Sequence, residues 1–342
     1  MSSLRAESSG PAVAKAPRLG FAGTGWIGRA RLHSLAESRI AQISAIFDPA
    51  REQAEDALSS APDARVLSSF DDLLAMDLDG IVIATPSALH ATQAVAALER
   101  GFAVFCQKPL ARNGAEAGRV IDAARNADRL LAIDMSYRYT HAISKMRELV
   151  QDGALGRIYA VDLVFHNAYG PNKNWYYKRD LAGGGCVIDL GIHLVDLALW
   201  MLDWPRVSSV EGRCYCHGEP LDASSEAVED YAVASIRLES DAVVRLACSW
   251  KLPTIFDAVI AVKFYGTEGG VEFSNEGGSF YEFTSVYIRK RNRVTLSSPP
   301  DRWGGRTLIA WAAQLSRSRS YDPDCERLLD VARVLDAIYR SY

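Results

Sequence analysis

The sequence predicts a doubly wound parallel α/β sheet followed by an α+β domain on a large, mostly antiparallel, open-faced sheet. Three observations carry that reading. A glycine-rich turn, Gly23-Thr24-Gly25-Trp26-Ile27-Gly28, follows the apolar run Leu19-Gly20-Phe21-Ala22. Strand-like and helix-like patterns then alternate to about residue 134, and such alternation implies parallel strands. After about Met135, strand-like runs follow one another across short polar or glycine turns, as successive hairpins do.

In the first part, strands are expected over 18–22, 42–47, 65–68, 80–84, 103–106 and 130–134. Helices are expected over 26–36, 51–59, 71–75, 88–100, 114–126 and 142–151. Ile81-Val82-Ile83-Ala84 is nearly all apolar, as a central parallel strand buried on both faces requires. Ser87 reads as an N-cap, and Gly101 and Gly153 read as residues just past helix ends. Further strands are expected over 157–168, 208–216, 230–239, 242–251, 258–265, 270–274 and 280–290. A helix over 186–202 interrupts them, and a last helix is expected over 324–339. The chain therefore divides into a tail (1–17), a first domain (18–135) and a second domain (136–342).

Length and composition narrow the function classes. A chain of 342 residues suits two ordinary domains. Hydrophobic content of 49% and charged content of 23% are those of a globular protein. A net charge of −4 leaves no basic footprint, so no nucleic-acid partner is expected. No single apolar run reaches spanning length, so no membrane is expected either. Residues 1–17 are rich in Ala and Ser, broken by Pro11 and Pro17, and lack the apolar centre of a signal peptide. They read as a disordered tail on a cytoplasmic protein. Of six scattered cysteines, Cys214 and Cys216 lie beside His217, but no second ligand cluster accompanies them. Buried strand thiols, no metal and no disulfides are expected.

The glycine turn has the pattern of a dinucleotide-binding loop. The first glycine permits a tight turn, the second lets the backbone approach a pyrophosphate, and the third packs helix on strand. Trp26 and Ile27 open the helix, whose N-terminus then faces the phosphates. Asp48 ends the second strand, 20 residues beyond Gly28, where a carboxylate accepts hydrogen bonds from ribose hydroxyls. It repels a 2′-phosphate and favours NAD. Arg51, close by, could contact such a phosphate, which leaves NADP open.

Lys108, in Gln107-Lys108-Pro109, lies just past the strand 103–106, at the carboxyl end where open α/β sheets bind ligands. Its ammonium could hold a substrate oxygen or stabilise an alkoxide; the alternative is a solvated surface lysine. Thr85-Pro86 ends the strand 80–84, where the backbone must pass the nicotinamide ribose. His90 either faces the cofactor or occupies the first helical turn.

Asp189 and His193 are four residues apart and meet on one face of an α-helix. Gly183-Gly184-Gly185 just before them permits close approach of a bulky ligand. The carboxylate can orient the imidazole, which can take a hydroxyl proton as hydride leaves the same carbon. Asp196 is placed to hydrogen-bond His193 from behind. The alternative is an acidic residue serving the helix dipole and a histidine satisfied in the core.

Together these segments resemble the Gfo/Idh/MocA oxidoreductase family, which includes glucose–fructose oxidoreductase and inositol dehydrogenase. Gly23–Gly28 is similar to its glycine fingerprint, Thr85-Pro86 through His90 to its T-P-x-x-x-H segment, and Gln107-Lys108-Pro109 to its E-K-P motif. Gly183 to Asp196 is similar to its G-G-G-x-x-x-D-x-G-x-H-x-x-D segment. The resemblance implies Lys108, Asp189 and His193 as the catalytic set, with Arg138 and Trp175 near the active site. It implies NAD(P)-dependent oxidation or reduction of a secondary alcohol on a sugar, cyclitol or related polyhydroxylated molecule. One departure stands out: Gln107 replaces the family's usual glutamate, so no negative charge adjoins Lys108 in sequence. Two other readings use the same fold, an NAD-dependent glycosidase with transient oxidation and a non-catalytic dinucleotide sensor; the intact Lys108, Asp189 and His193 weigh against the sensor. Asn172, Lys173, Asn174, Tyr176 and Lys178 suit a hydroxyl-rich ligand. The uncovered face of the second sheet suits a homodimer or homotetramer.

Overall fold

The computed structural model describes residues 16–222 and 225–341. The tail expected over 1–17 lies outside the described residues except for Ala16 and Pro17.

Apolar runs bounded by turns form the first sheet: β1 (Arg18–Ala22), β2 (Gln42–Phe47), β3 (Arg65–Leu67), β4 (Gly80–Ile83), β5 (Ala103–Cys106) and β6 (Leu131–Ile133). All pairings are parallel, in the order β3-β2-β1-β4-β5-β6. Helices α1 (Trp26–Ser38), α2 (Arg51–Ala57), α3 (Phe70–Leu74), α4 (Ser87–Glu99) and α5 (Gly114–Ala127) connect them. Every residue of β4 and β5 is buried, as strands covered on both faces must be. The strand order reverses between β1 and β4, and a crevice opens at the carboxyl ends of these strands.

Helix α6 (His141–Gln151) leads into the second sheet. Its strands are β7 (Ile158–Asn167), β8 (Val207–Cys216), β9 (Glu219–Pro220), β10 (Tyr231–Leu238), β11 (Val243–Ser249), β12 (Ala258–Gly266), β13 (Gly270–Asn275), β14 (Phe283–Arg289) and β15 (Asn292–Ser297). The order is β15-β14-β13-β12-β7-β11-β10-β8-β9, and only β7 with β11 is parallel. Between β7 and β8 lie α7 (Arg179–Ala182) and α8 (Ile192–Met201). After β15 come α9 (Arg306–Leu315) and α10 (Arg327–Arg340). Helix α6 packs on β13, β14 and β15, α8 on β7 and β11, and α10 on β8. The alternating burial of β10 shows that one face of the sheet is covered and the other is not.

Three elements differ from expectation. The strand expected over 280–290 begins at Phe283 and pairs with β15. That partner was hidden because the hairpin turns at Lys290, φ 56°, without the glycine or asparagine that marks such turns. Helix α9 starts after Gly305, φ 98°, with no side-chain cap, and follows Pro299-Pro300, so its start reads as loop. Leu308, Trp311, Ala312 and Leu315 of α9 join the core formed by Leu19, Phe21, Val82 and Phe105 of the first sheet. The chain thus returns to the first domain well beyond residue 135. Finally, Arg179–Met201 is a helical stretch long and apolar enough to cross a membrane, although 78% of its most apolar window is buried in the protein. Its burial is that of a core helix.

Trp311 is 2% exposed and lies with its ring centroid 5.7 Å from that of Phe105. Trp311→Ala is expected to cost about 3–5 kcal/mol, through loss of the α9 contact with the first sheet. Chemical denaturation of both proteins checks this; an unchanged midpoint would show that α9 does not anchor there.

Candidate active site

The glycine loop is shaped by contacts that no side chain could share. Gly23 has φ 91°, and a Cβ there would lie 2.5 Å from the Ala84 carbonyl oxygen. A Cβ on Gly28 would lie 2.3 Å from the Gly23 oxygen, so α1 packs tightly on the turn. Above Gly25 the space is open as far as Lys173 Nζ, 3.6 Å from the Cβ position. This is a cradle of the kind a pyrophosphate requires. Trp26 is exposed, and Ile27 opens α1 beside it. Asp48 is fixed beside the loop: its Oδ2 accepts from the Thr24 N–H at 2.7 Å and its Oδ1 from the Ala50 N–H at 2.9 Å. With a longer bond from the Thr24 hydroxyl at 3.4 Å, three bonds still leave a carboxylate lone pair for a ribose hydroxyl. These residues fit a dinucleotide.

Thr85-Pro86 borders the same crevice, with the Thr85 hydroxyl donating to Gln93 at 2.6 Å. His90 is buried with Nδ1 2.6 Å from the Pro109 oxygen and Nε2 2.7 Å from the Thr85 oxygen. It ties two crevice loops together rather than bonding a ligand. Two carbonyl partners favour a doubly protonated ring, but burial and the Lys108 charge leave its pKa below 6.5.

At the end of β5, Lys108 reaches across to the second domain. Its Nζ donates to both the carbonyl oxygen and Oδ1 of Asp189, each at 2.7 Å. Trp250 Nε1 donates to the other carboxylate oxygen at 3.1 Å. Trp250, at the end of β11, is the residue sequence reasoning missed; a lone tryptophan after a strand gives no spacing signal. Asp189 lies on a π-helical turn, Val187–Gly191, that precedes α8. A π turn breaks the four-residue register. Asp189 therefore serves Lys108 and Trp250 rather than orienting His193, contrary to the pairing expected of residues four apart.

His193 is 9% exposed and packs edge-on against Tyr137, centroids 5.0 Å apart. Its Nδ1 is buried without a partner. Burial first, then the charges of Lys108 and Arg31, hold its pKa well below 6.5. Asp196 does not back it. Its Oδ2 accepts from Arg138 Nε at 2.7 Å, and its Oδ1 accepts from Arg138 Nη2. Arg138 in turn lies 5.5 Å from the Trp200 ring centroid and 5.2 Å from that of Trp204. Its guanidinium is committed to packing rather than free for a substrate.

The triple glycine also differs from expectation. A Cβ on Gly185 would sit 1.9 Å from the Glu229 carbonyl oxygen, and one on Gly184 2.0 Å from the Tyr339 hydroxyl. The close neighbour is the chain itself, not a ligand. Buried Glu229 accepts from the backbone N–H of Gly185 at 2.9 Å, from that of Val187 at 2.9 Å and from the Tyr339 hydroxyl at 2.8 Å. It caps the turn that carries Asp189.

Gln107 finds its negative charge elsewhere. Its Nε2 donates to Asp134 Oδ2 at 2.7 Å, and Arg31 Nε donates to the same oxygen at 2.6 Å. Trp175 stacks on Tyr176 at 3.8 Å, and Tyr176 meets Trp250 edge-on at 6.3 Å. Burial and the Asp189 charge push the pKa of the Tyr176 hydroxyl upward. Among the described residues one other set of possible ligands converges, Cys216, His217 and Asp230. There the Asp230 carboxylate already accepts from the His217 N–H at 3.0 Å.

Residues 18–135 match a family model described as an oxidoreductase family with an NAD-binding Rossmann fold. Residues 143–272 match a model of the GFO/IDH/MocA C-terminal domain. D-glucoside 3-dehydrogenase of Escherichia coli K12 is 30% identical over 244 residues, spanning 67% of this chain and 68% of that protein. Levoglucosan dehydrogenase of Pseudarthrobacter phenanthrenivorans is 34% identical over 134 residues, spanning 37% of this chain and 33% of that protein. A crystal structure of GenD2 from gentamicin A biosynthesis in complex with NAD has TM-score 0.78 and 25% identity, covering 97% of this chain and 95% of that one. A levoglucosan dehydrogenase complex with NADH and levoglucosan has TM-score 0.80, covering 96% of this chain and 97% of that one, at 22% identity, a level that speaks to fold.

The His193 shift has a consequence for stability. In the unfolded chain the ring takes a proton near pH 6.5, whereas the folded ring resists until much lower pH. The neutral ring's contribution is therefore complete above pH 6.5 and is lost as pH falls below it. The loss accumulates at up to about 1.4 kcal/mol per pH unit. His193→Gln is expected to flatten the acid side of the stability curve by up to that slope. Denaturant midpoints at pH 7.5, 6.5 and 5.5 decide; parallel curves for the two proteins would contradict the burial argument.

Proposed function

The chain belongs to the Gfo/Idh/MocA oxidoreductase family, and on that premise we propose how its residues divide the work of an NAD(P)-dependent oxidoreductase acting on CH–OH groups. The substrate is a secondary alcohol or ketone of a sugar, cyclitol or related polyhydroxylated molecule. The single observation that carries the reading is Lys108, held by Asp189 at the mouth of the dinucleotide crevice beside an unpartnered, neutral His193.

Lys108 spends two N–H groups on Asp189. An ammonium has three, so one remains for the substrate oxygen. His193 accepts the hydroxyl proton, and Lys108 stabilises the oxygen as it gains charge. Bound nicotinamide supplies the hydride acceptor in oxidation and the donor in reduction. Trp250 and Lys108 together keep Asp189 in one orientation. Gly23, Gly25, Trp26, Ile27, Gly28, Asp48, Thr85, Pro86 and Gln107 line the cofactor side. The glycosidase and sensor readings gain no observation of their own. The uncovered face of the second sheet, with half-buried Val164, Val233, Ala247 and Ala261, suits a second copy of this chain in a homodimer or homotetramer of the cytoplasm.

A panel of sugars and polyols followed by NADH absorbance tests the activity. With an identified substrate, His193→Ala is expected to lower kcat about 10²–10⁴-fold with a much smaller effect on KM. Lys108→Met is expected to abolish turnover while NADH binding persists. Wild-type rates and pH profile in both variants would remove these residues from the chemistry.

Asp48→Ala is expected to weaken NAD binding and to reduce discrimination against NADP, because the ribose-facing carboxylate is gone. Titration with both cofactors checks it, and unchanged affinities for both would place the ribose elsewhere.

A further inference from the structure

The connection between β7 and α7 belongs to the second domain, yet it bends over the glycine loop of the first. Lys173 marks the crossing, with Nζ 3.6 Å from the position a Gly25 Cβ would take. Gln53 Oε1 is the other neighbour of that position, at 3.8 Å. Among the described residues Lys173 has no carboxylate within ion-pair distance. The site thus presents an exposed, uncompensated ammonium directly above the glycine that admits a pyrophosphate.

The same segment also reaches the catalytic carboxylate. The Lys173 carbonyl accepts from the Tyr176 N–H at 3.2 Å, which starts the short 3-10 turn Asn174–Tyr177. That turn carries the Trp175–Tyr176 stack against Trp250, and Trp250 donates to Asp189. A single residue, Asn174, separates a cation at the phosphate loop from an aromatic pair at the substrate pocket.

We propose that Lys173 ion-pairs with the cofactor pyrophosphate and thereby seats Trp175 and Tyr176 over the substrate pocket. This rests on the oxidoreductase reading. Lys173 is a positioning residue: it touches the phosphates, remote from the transferred hydride, and acts on the substrate through the turn it anchors.

The test compares wild type, Lys173→Gln and Lys173→Arg by calorimetric titration with NADH, ADP-ribose and adenosine. A charge-assisted contact predicts about a tenfold to hundredfold weaker affinity of Lys173→Gln for NADH and ADP-ribose. Adenosine, which lacks the pyrophosphate, should bind all three proteins equally, and Lys173→Arg should recover most of the loss. Hydrogen exchange supplies a second readout. ADP-ribose should protect residues 168–178 in the wild type and fail to do so in Lys173→Gln. Wild-type affinity for ADP-ribose in Lys173→Gln, or protection that survives the substitution, overturns the proposal and leaves the oxidoreductase reading standing. Failure of the wild type itself to bind NADH overturns both.

Discussion

The ion pair between Lys108 and Asp189 is the constraint around which the site is organised. Lys108 stands at the end of a strand in the first sheet, and Asp189 stands on a π turn supported by the second. Neither sheet alone can complete the arrangement. The pair is mostly shielded, with 21% and 15% of the side chains exposed. A charge so placed is costly without its partner, so the contact fixes how the crevice is closed as well as what lies in it.

The second domain devotes much of its interior to holding Asp189 in place. Glu229 caps the turn from below, the triple glycine lets Glu229 and Tyr339 come close, and Trp250 takes the remaining carboxylate oxygen. Helix α9 supports the other partner from behind, where Trp311 packs on Phe105 of the strand that ends near Lys108. The two structural domains are therefore interleaved in sequence.

The first sheet was legible in the sequence because its signals are local. A glycine turn, an apolar strand and a carboxylate at fixed spacing each report on neighbouring residues. Lys108, Asp189 and His193 were legible as candidates for the same reason. Their partners were not. The Asp189–His193 pairing assumed an α-helical register that the π turn breaks. The glycines before them looked like room for a ligand because Glu229 and Tyr339, distant in sequence, fill that room in space. Trp250 and Arg31 act on the site across long sequence separations and leave no periodic trace.

The charges around His193 explain why it has no carboxylate of its own. Asp134 is taken by Arg31 and Gln107, Asp189 by Lys108 and Trp250, and Asp196 by Arg138. Each nearby carboxylate is committed to a cation or to another donor, and two of those cations, Lys108 and Arg31, face the imidazole. A carboxylate bonded to His193 would raise its pKa; cations and burial lower it. Gln107 acts in the same direction, because it carries no charge and the carboxylate it contacts is shared with Arg31. The arrangement keeps the ring neutral and ready to take a proton, at the cost of a weaker base. In the proposed reaction Lys108 compensates on the other side, since an ammonium that holds the substrate oxygen eases the departure of its proton.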